Sequence, residues 1–310
     1  MKFRRYAPII LWLLLLSSLH LHALGTQESL ERLGLSRVEQ TAAAHLFKDG
    51  GLMIQTREAD IVFHSGAVGE NVTAALTGYA STHVTLHTEE ASGNLNIFTR
   101  YEKTQGVTTR EMQLVVFIPD NFIGKIHAAS STGSIELSGL ASSDILAQTA
   151  TGKISAQQLN SGNIELSSVS GEIEITDVSA SSITVNTASG AILLSEFRSP
   201  RLTAESASGR IEAEGSASSI TLNTISGSIE LAASDDVTQV EMQTVSGNQD
   251  IRLPSGVLTS GTLHSLTGKL TNRLPGELRE STHQSLSWNN NASDAQISAQ
   301  SISGSITVGN

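Results

Sequence analysis

The stretch SSVSGEIEI, Ser167 to Ile175, decides the fold. It holds no group that normally does chemistry, yet close variants of it return along the chain. Aligned on the glycine, they fall at Gly133, Gly152, Gly171, Gly190, Gly209, Gly227, Gly247, Gly268 and Gly304, in steps of 19, 19, 19, 19, 18, 20, 21 and 36 residues. A period held in this range signals a stacked repeat and overrides any element-by-element reading.

Each unit carries two alternating runs. One follows the glycine, as in Ile135 and Leu137, Ile173 and Ile175, Ile192 and Leu194, or Ile229 and Leu231. The other precedes the next glycine, as in Ile164 and Leu166, Ile183 and Val185, Ile220 and Leu222, or Val240 and Met242. Alternation at period two makes each run a strand with one buried face. The spacing from the second run to the glycine stays constant while the repeat length changes, so one corner of the coil is rigid and the other tolerates length variation. A disordered linker would have no reason to keep apolar residues in this register. The expectation is an all-β, parallel β-solenoid of roughly 19-residue coils.

The rigid corner is built from hydroxyls. Three residues before the aligned glycines stand Ser130, Thr149, Ser168, Thr187, Ser206, Thr224, Thr244, Ser265 and Ser301; one residue before them stands another Ser or Thr each time, including Ser170, Ser189, Ser208 and Ser226. Short hydroxyl side chains can satisfy backbone groups that a turn leaves unpaired, and a tight turn calls for a conformation that glycine adopts without strain. The expected structural corner is thus Ser168, Ser170 and Gly171, repeated as Thr187, Ser189 and Gly190, as Ser206, Ser208 and Gly209, and as Thr224, Ser226 and Gly227.

Weaker copies extend the pattern. LMIQTREADIVF puts Leu52 and Ile54 before Ala59 in the glycine slot, then Ile61 and Phe63; LHTEEASGNLNIF offers Leu86, Gly93, Leu95 and Ile97. The unbroken apolar run of MQLVVFIPD suggests a strand buried on both faces. The gap before Gly304 has room for a degraded coil around THQSLSW and a loop near Pro275. Some ten coils at about 4.8 Å each make a stack roughly 50 Å tall. Residues 26–49 are expected as a cap or linker, a helix or irregular segment carrying Leu30, Leu33, Leu35 and Val38; residues 50–125 as a longer-stranded N-terminal β portion with degenerate coils; residues 126–310 as the regular repeats.

At the N-terminus, Lys2, Arg4 and Arg5 precede the apolar run APIILWLLLLSSLHLHALG, with Ala23 and Gly25 at the small-residue positions of a cleavage site. Residues 1–25 therefore read as a secretory signal peptide, and the product as exported to the periplasm, the cell envelope or the exterior. The chain has formal net charge -11 and no cysteine. The charge disfavours nucleic acid as a partner, and without cysteine there is neither a disulfide framework nor a thiol for lipid attachment. No later apolar stretch is long enough to span a bilayer.

The exported start and the order of long strands followed by the TGSIEL and SGEIEI coils resemble the putative adhesin family of bacterial envelope proteins, a domain of unknown function. The resemblance covers roughly Gly50 to Asn310. It implies a right-twisting or flattened parallel β-solenoid in an envelope setting and supplies no catalytic residues.

Candidate chemistry is sparse. Outward residues three positions after the glycine include Glu136, Glu174, Glu212 and Glu230, and the last two would sit on adjacent coils at a spacing of about 5 Å, as in retaining glycosidases. A catalytic pair also needs a cleft and carboxylates in different environments, so they read as solvated surface groups. His83 and His87 share a strand face but lie about 13 Å apart along it, too far to chelate one metal ion. The reading is therefore no enzyme, no cofactor and no metal. Regular outward Thr184, Asn186, Thr221 and Asn223 mark the candidate face for binding a surface polymer or an envelope protein. A second route, self-association into a scaffold, rests on the last coil, GSITV, whose backbone edge would be open to another molecule.

Overall fold

The computed structural model describes residue 30 and residues 33–67, 69–103, 105–234, 236–290 and 293–310. The segment expected as a signal peptide, residues 1–25, lies outside these residues. No helix among the described residues is long and apolar enough to cross a membrane.

The N-terminal part holds β1 (Ser36–His45), β2 (Gly51–Thr56), β3 (Asp60–Ala67), β4 (Asn71–Ala80), β5 (Val84–Ala91), β6 (Asn94–Tyr101), β7 (Thr109–Pro119), β8 (Lys125–Ser130) and β9 (Ile135–Ser138). The middle holds β10 (Ala141–Thr149), β11 (Ile154–Ser168), β12 (Ile173–Thr187), β13 (Ile192–Ser206) and β14 (Ile211–Thr224). The C-terminal part holds β15 (Ile229–Ala233), β16 (Gln239–Thr244), β17 (Gln249–Arg252), β18 (Thr259–Ser265), β19 (Leu270–Asn272), β20 (Glu277–Ser281), β21 (Ser285–Asn289), β22 (Ala295–Ser301) and β23 (Ile306–Gly309).

The middle strands bend, so that each long strand supplies the post-glycine run in its first half and the pre-glycine run in its second. Parallel pairing keeps β11 to β14 in chain order and in register. Ile154, Ile173, Ile192, Ile211 and Ile229 stack as one buried column, and Ala156, Ile175, Leu194, Ala213 and Leu231 as the next. The second column mixes small Ala156 and Ala213 with larger Ile175, Leu194 and Leu231. A single apolar cluster runs from Val38 to Val308. The repeat is therefore a β-solenoid, as its periodicity predicts.

The tolerant corner lies at the bend inside the long strands. Gly139, Gln158, Asp177 and Glu196 recur there every 19 residues, all with φ between 52° and 65°. The next coil drops this left-handed residue: Ser195 faces Glu214 and Phe197 faces Gly215, leaving Glu196 unmatched. The 18-residue step in the sequence is this deletion.

Both ends depart from chain order. At the N-terminal end β2 lies between β6 and β8, and β3 between β7 and β9, so the coil made from β6 and β7 is laid outside the coil that precedes it. Antiparallel β4 and β1 extend this end beyond β7, and β5 extends it beyond β6. At the C-terminal end β22 inserts between β16 and β18, and β23 between β17 and β19. Antiparallel β21 and β20 then cover the outer edge of β18. Trp288 on β21 is buried against Gly261 and donates from Nε1 to Thr259 Oγ1 at 3.1 Å.

Several expectations are thereby corrected. The helix or irregular cap gives way to a strand over Ser36–His45, whose Val38, Gln40, Ala42 and Ala44 alternate inward; the alanines that favour helix here fit close beside β4. The run MQLVVFIPD is buried on one face, with Val115 and Phe117 half-buried on the other, where Phe117 meets His64. THQSLSW contributes to an antiparallel hairpin instead of a degraded coil. Leu95 and Ile97 stack on Leu52 and Ile54, which are pre-glycine residues, so Gly93 does not occupy the motif glycine's place. Finally, the supposed open edge is closed, because Thr307 pairs with Asp250 on one side and Thr271 on the other.

Candidate functional site

The corner motif assembles from two kinds of hydrogen bond. At Gly171, Gly190 and Gly209 the hydroxyl three residues earlier accepts from the glycine's N–H, Ser168 at 2.8 Å, Thr187 at 3.1 Å and Ser206 at 2.7 Å. Its proton can then go to the neighbouring coil, as from Thr224 Oγ1 to the Gly209 carbonyl at 3.2 Å. The hydroxyl one residue before the glycine also reaches across coils, from Ser170 to the Ala150 carbonyl, from Ser189 to Val169 and from Ser208 to Ala188, at 3.3–3.4 Å. Ser226 bonds across through its backbone N–H, to the Ala207 carbonyl at 3.0 Å.

The glycine itself is there for a reason that differs from the one expected. The aligned glycines do not have positive φ. A Cβ on Gly171, Gly190, Gly209 or Gly227 would collide with the carbonyl oxygen of the glycine one coil below. Close approach of adjacent coils, not turn conformation, excludes every other residue. The column also reveals the stacking order, since Gly304 sits on Gly247 and Gly268 sits on Gly304.

On the pre-glycine side of the stack, the structure brings all four candidate face residues together. Thr184, Thr203 and Thr221 stand in one outward row, and Asn186, Glu205 and Asn223 in the next. Asn223 donates from Nδ2 to Glu205 Oε1 at 3.2 Å, while its own Oδ1 is buried without a hydrogen-bond partner. The rows continue beyond Thr221 and Asn223 through Glu241 and Gln243 to Ser298 and Gln300 and then Thr262 and His264. Sequence reasoning missed the last members because the inserted coil breaks chain order. It missed Thr203 and Glu205 although their offset from the glycine was already the diagnostic one.

The post-glycine side carries a different row. Glu174, Leu193, Glu212, Glu230 and Asp250 align across β12, β13, β14, β15 and β17. Lys153 bridges Glu172 and Glu174 at 2.9 and 2.6 Å, Arg210 meets Glu212 at 2.8 Å, and Arg252 meets Asp250 at 2.8 Å and lies 3.9 Å from Glu230. The two glutamates first noted for their spacing do sit opposite each other, but in an open depression on the sheet surface and beside separate arginines. At the edge of the pre-glycine side, Asp144 accepts from Asn163 at 2.8 Å and Lys125 lies 3.1 Å away. Those hydrogen bonds, Asn163 first and then Lys125, hold its carboxyl below the ordinary value. The ammonium of Lys153 is held above its ordinary range by Glu174 and then Glu172.

Neither His83 nor His87 has a metal-binding companion. His87 shares a hydrogen bond with Thr85 Oγ1 at 2.8 Å and stacks on Phe98 with ring centroids 5.4 Å apart. Among the described residues, no group of three or more His, Cys, Asp or Glu side chains converges as a metal site.

The family model for Toastrack DUF4097 matches residues 51–309, the span that this stack of coils occupies. The chain belongs to the Toastrack DUF4097 family. Its fold is shared by a putative adhesin from Parabacteroides distasonis, 12% identical, at a TM-score of 0.53 over 87% of this chain and 97% of that one. It is shared also by a putative lipid binding protein of the same organism, 15% identical, at a TM-score of 0.52 over 87% and 96% of the two chains. No curated protein sequence matches. At such identities the likeness extends to the Toastrack fold and leaves the polar rows of this chain to be read on their own chemistry.

Proposed function

We propose that this Toastrack protein is an exported, non-catalytic envelope protein that acts as an adhesin-like binding or presentation module, with a surface polymer or an envelope protein as partner. The observation that carries this reading is the pair of outward rows through Thr184, Thr203 and Thr221 and through Asn186, Glu205 and Asn223. Parallel pairing spaces their donors and acceptors about 4.8 Å apart on a rigid backbone, a repeat that suits an extended, hydroxyl- or amide-rich ligand. The signal-like N-terminus and the name of the adhesin neighbour agree with an envelope setting. The ion-paired carboxylates on the post-glycine side serve the surface of the sheet and take no part in a reaction.

The test replaces Thr184, Asn186, Thr221 and Asn223 with alanine together and measures binding to arrays of bacterial surface polysaccharides and envelope proteins. A loss of at least tenfold in affinity, with unchanged thermal unfolding, is expected. Undiminished binding to every ligand of the unmodified chain would remove this face from the function.

A further inference from the structure

The position two residues before each motif glycine points out from the rigid corner, and the coils do not fill it at random. In stack order it is Ser131, Ala150, Val169, Ala188, Ala207, Ile225, Val245, Ile302 and Leu266, polar or small at the start and large and apolar at the far end. Val169, Ile225, Val245, Ile302 and Leu266 are each between 43% and 59% exposed. Backbone bonds from Val245 N–H to the Ile225 carbonyl, from Ser303 N–H to Val245 and from Thr267 N–H to Ile302 place the last four on consecutive coils. The result is a straight apolar file along one edge of the molecule. It is invisible in the chain order, because Ile302 fills the place between Val245 and Leu266.

Its surroundings differ from the rest of the surface. On the four coils from Ile225 to Leu266, the outward row on the pre-glycine side runs Asn223, Gln243, Gln300 and His264, and the residue after the glycine is Ser228, Asn248, Ser305 or Lys269. In a chain of net charge -11 these flanking positions hold no carboxylate, and the nearest ones, Glu205 on the preceding coil and Glu241 one row further from the corner, are tied to Asn223 and Gln243. An apolar file whose flanking positions are uncharged except for Lys269, whose long stem lets its ammonium stay in water, can be buried with little desolvation of ionised groups.

We propose that this file seats the protein on a zwitterionic lipid surface. A second copy is the weaker fit: a stable pair needs about 800 Å² from each partner, which a single file of aliphatic side chains cannot supply. Moreover, both partners would be convex. A planar bilayer interface needs no groove, accepts side chains that project in one line, and is held by the apolar area inserted. The overall negative charge selects against anionic lipids. The inference concerns a different edge from the polar rows and stands or falls without them.

The absence of cysteine permits a local test in the full chain. Leu266→Cys and, at the far corner, Ser181→Cys are each labelled with a polarity-sensitive thiol dye and mixed with phosphatidylcholine vesicles. The expected result is a blue shift and a gain in emission at position 266 and not at 181, insensitive to salt and weaker on phosphatidylglycerol vesicles. Adding Ile225→Ser and Ile302→Ser should reduce vesicle partitioning reported at position 266 at least tenfold, with hydrogen exchange over 173–206 unchanged as the check on folding. A label at 266 that stays in water while the protein is vesicle-bound would assign the contact to another segment and overturn the proposal. So would an emission change at 266 that follows protein concentration without lipid, which would mark a second copy as the occupant. The two-label comparison decides the matter even where the double serine variant fails to fold.

Discussion

From β11 to β14 the solenoid is laid down in the order of the chain, whereas at each end a coil is placed out of turn. The same corner motif serves the middle and the C-terminal end. What differs is connectivity: a short link delivers each middle strand to its predecessor, while a longer excursion lets β22 and β23 return to a place that β18 and β19 have bounded from outside. Local pattern thus makes a coil, and the match between buried columns decides where the coil goes. Gln249 sits at this change of regime, taking the place of isoleucine in its column and giving its side-chain N–H to the Gln300 carbonyl of the inserted strand at 2.5 Å.

The comparison is broken most severely by attacking the inserted coil. Replacing Ile297 and Ile306, both buried, with aspartate should strip hydrogen-exchange protection from residues 259–272 as well as from 295–309, while residues 173–206 remain protected. Protection lost only over 295–309 would mean that this coil is a simple terminal layer. A core truncation in the ordered region, Ile183→Ala, should cost about 2–5 kcal/mol in global unfolding measured with denaturant.

Next in size comes the glycine column. Gly190→Ala drives a methyl into the Gly171 carbonyl and should cost about 1–3 kcal/mol and reduce the cooperativity of unfolding. The opposite substitution at the bend, Gln158→Gly, relieves a left-handed conformation and should raise stability by no more than about 1 kcal/mol. If both changes had the same sign, the distinction between glycine required by space and glycine favoured by conformation would fail.

The smallest effect is electrostatic. Asp144 titrates below its ordinary value of 3.8, so its contribution to folding is complete above that pH and drains away as pH falls through its lower folded value. NMR titration of its carboxyl should show a rise toward 3.8 in Asn163→Ala. Solvent access keeps the accompanying change in stability small.

The middle of the fold was legible because three requirements coincide there: inward residues alternate, the corner keeps its hydroxyls, and the chain neighbours are also the spatial neighbours. Thr184, Asn186, Thr221 and Asn223 could be placed on one face from their offsets alone. The ends were not legible for the reason that makes them distinctive, since periodicity describes a coil and carries no address in the stack. Leu95 and Ile97 follow a glycine as the repeat demands, yet pair with residues that precede one. Conversely, the apolar file at the corner was written plainly in the repeat, but its continuity required Ile302 to be moved between Val245 and Leu266. The reason for the glycines was hidden too, because sequence registers a missing side chain without telling whether space or backbone angle demanded it.

The inserted coil also sets a timetable. Residues 259–272 are made before residues 295–309, yet the outer edge of β17, whose other edge pairs with β15, and the facing edge of β19 are filled only when β23 arrives between them. During that interval two strand edges stand with their amides and carbonyls unclaimed, the condition under which one polypeptide captures another. Misassembly during biogenesis should therefore concentrate in this region of the molecule, and the folded protein escapes it because a later segment closes the gap.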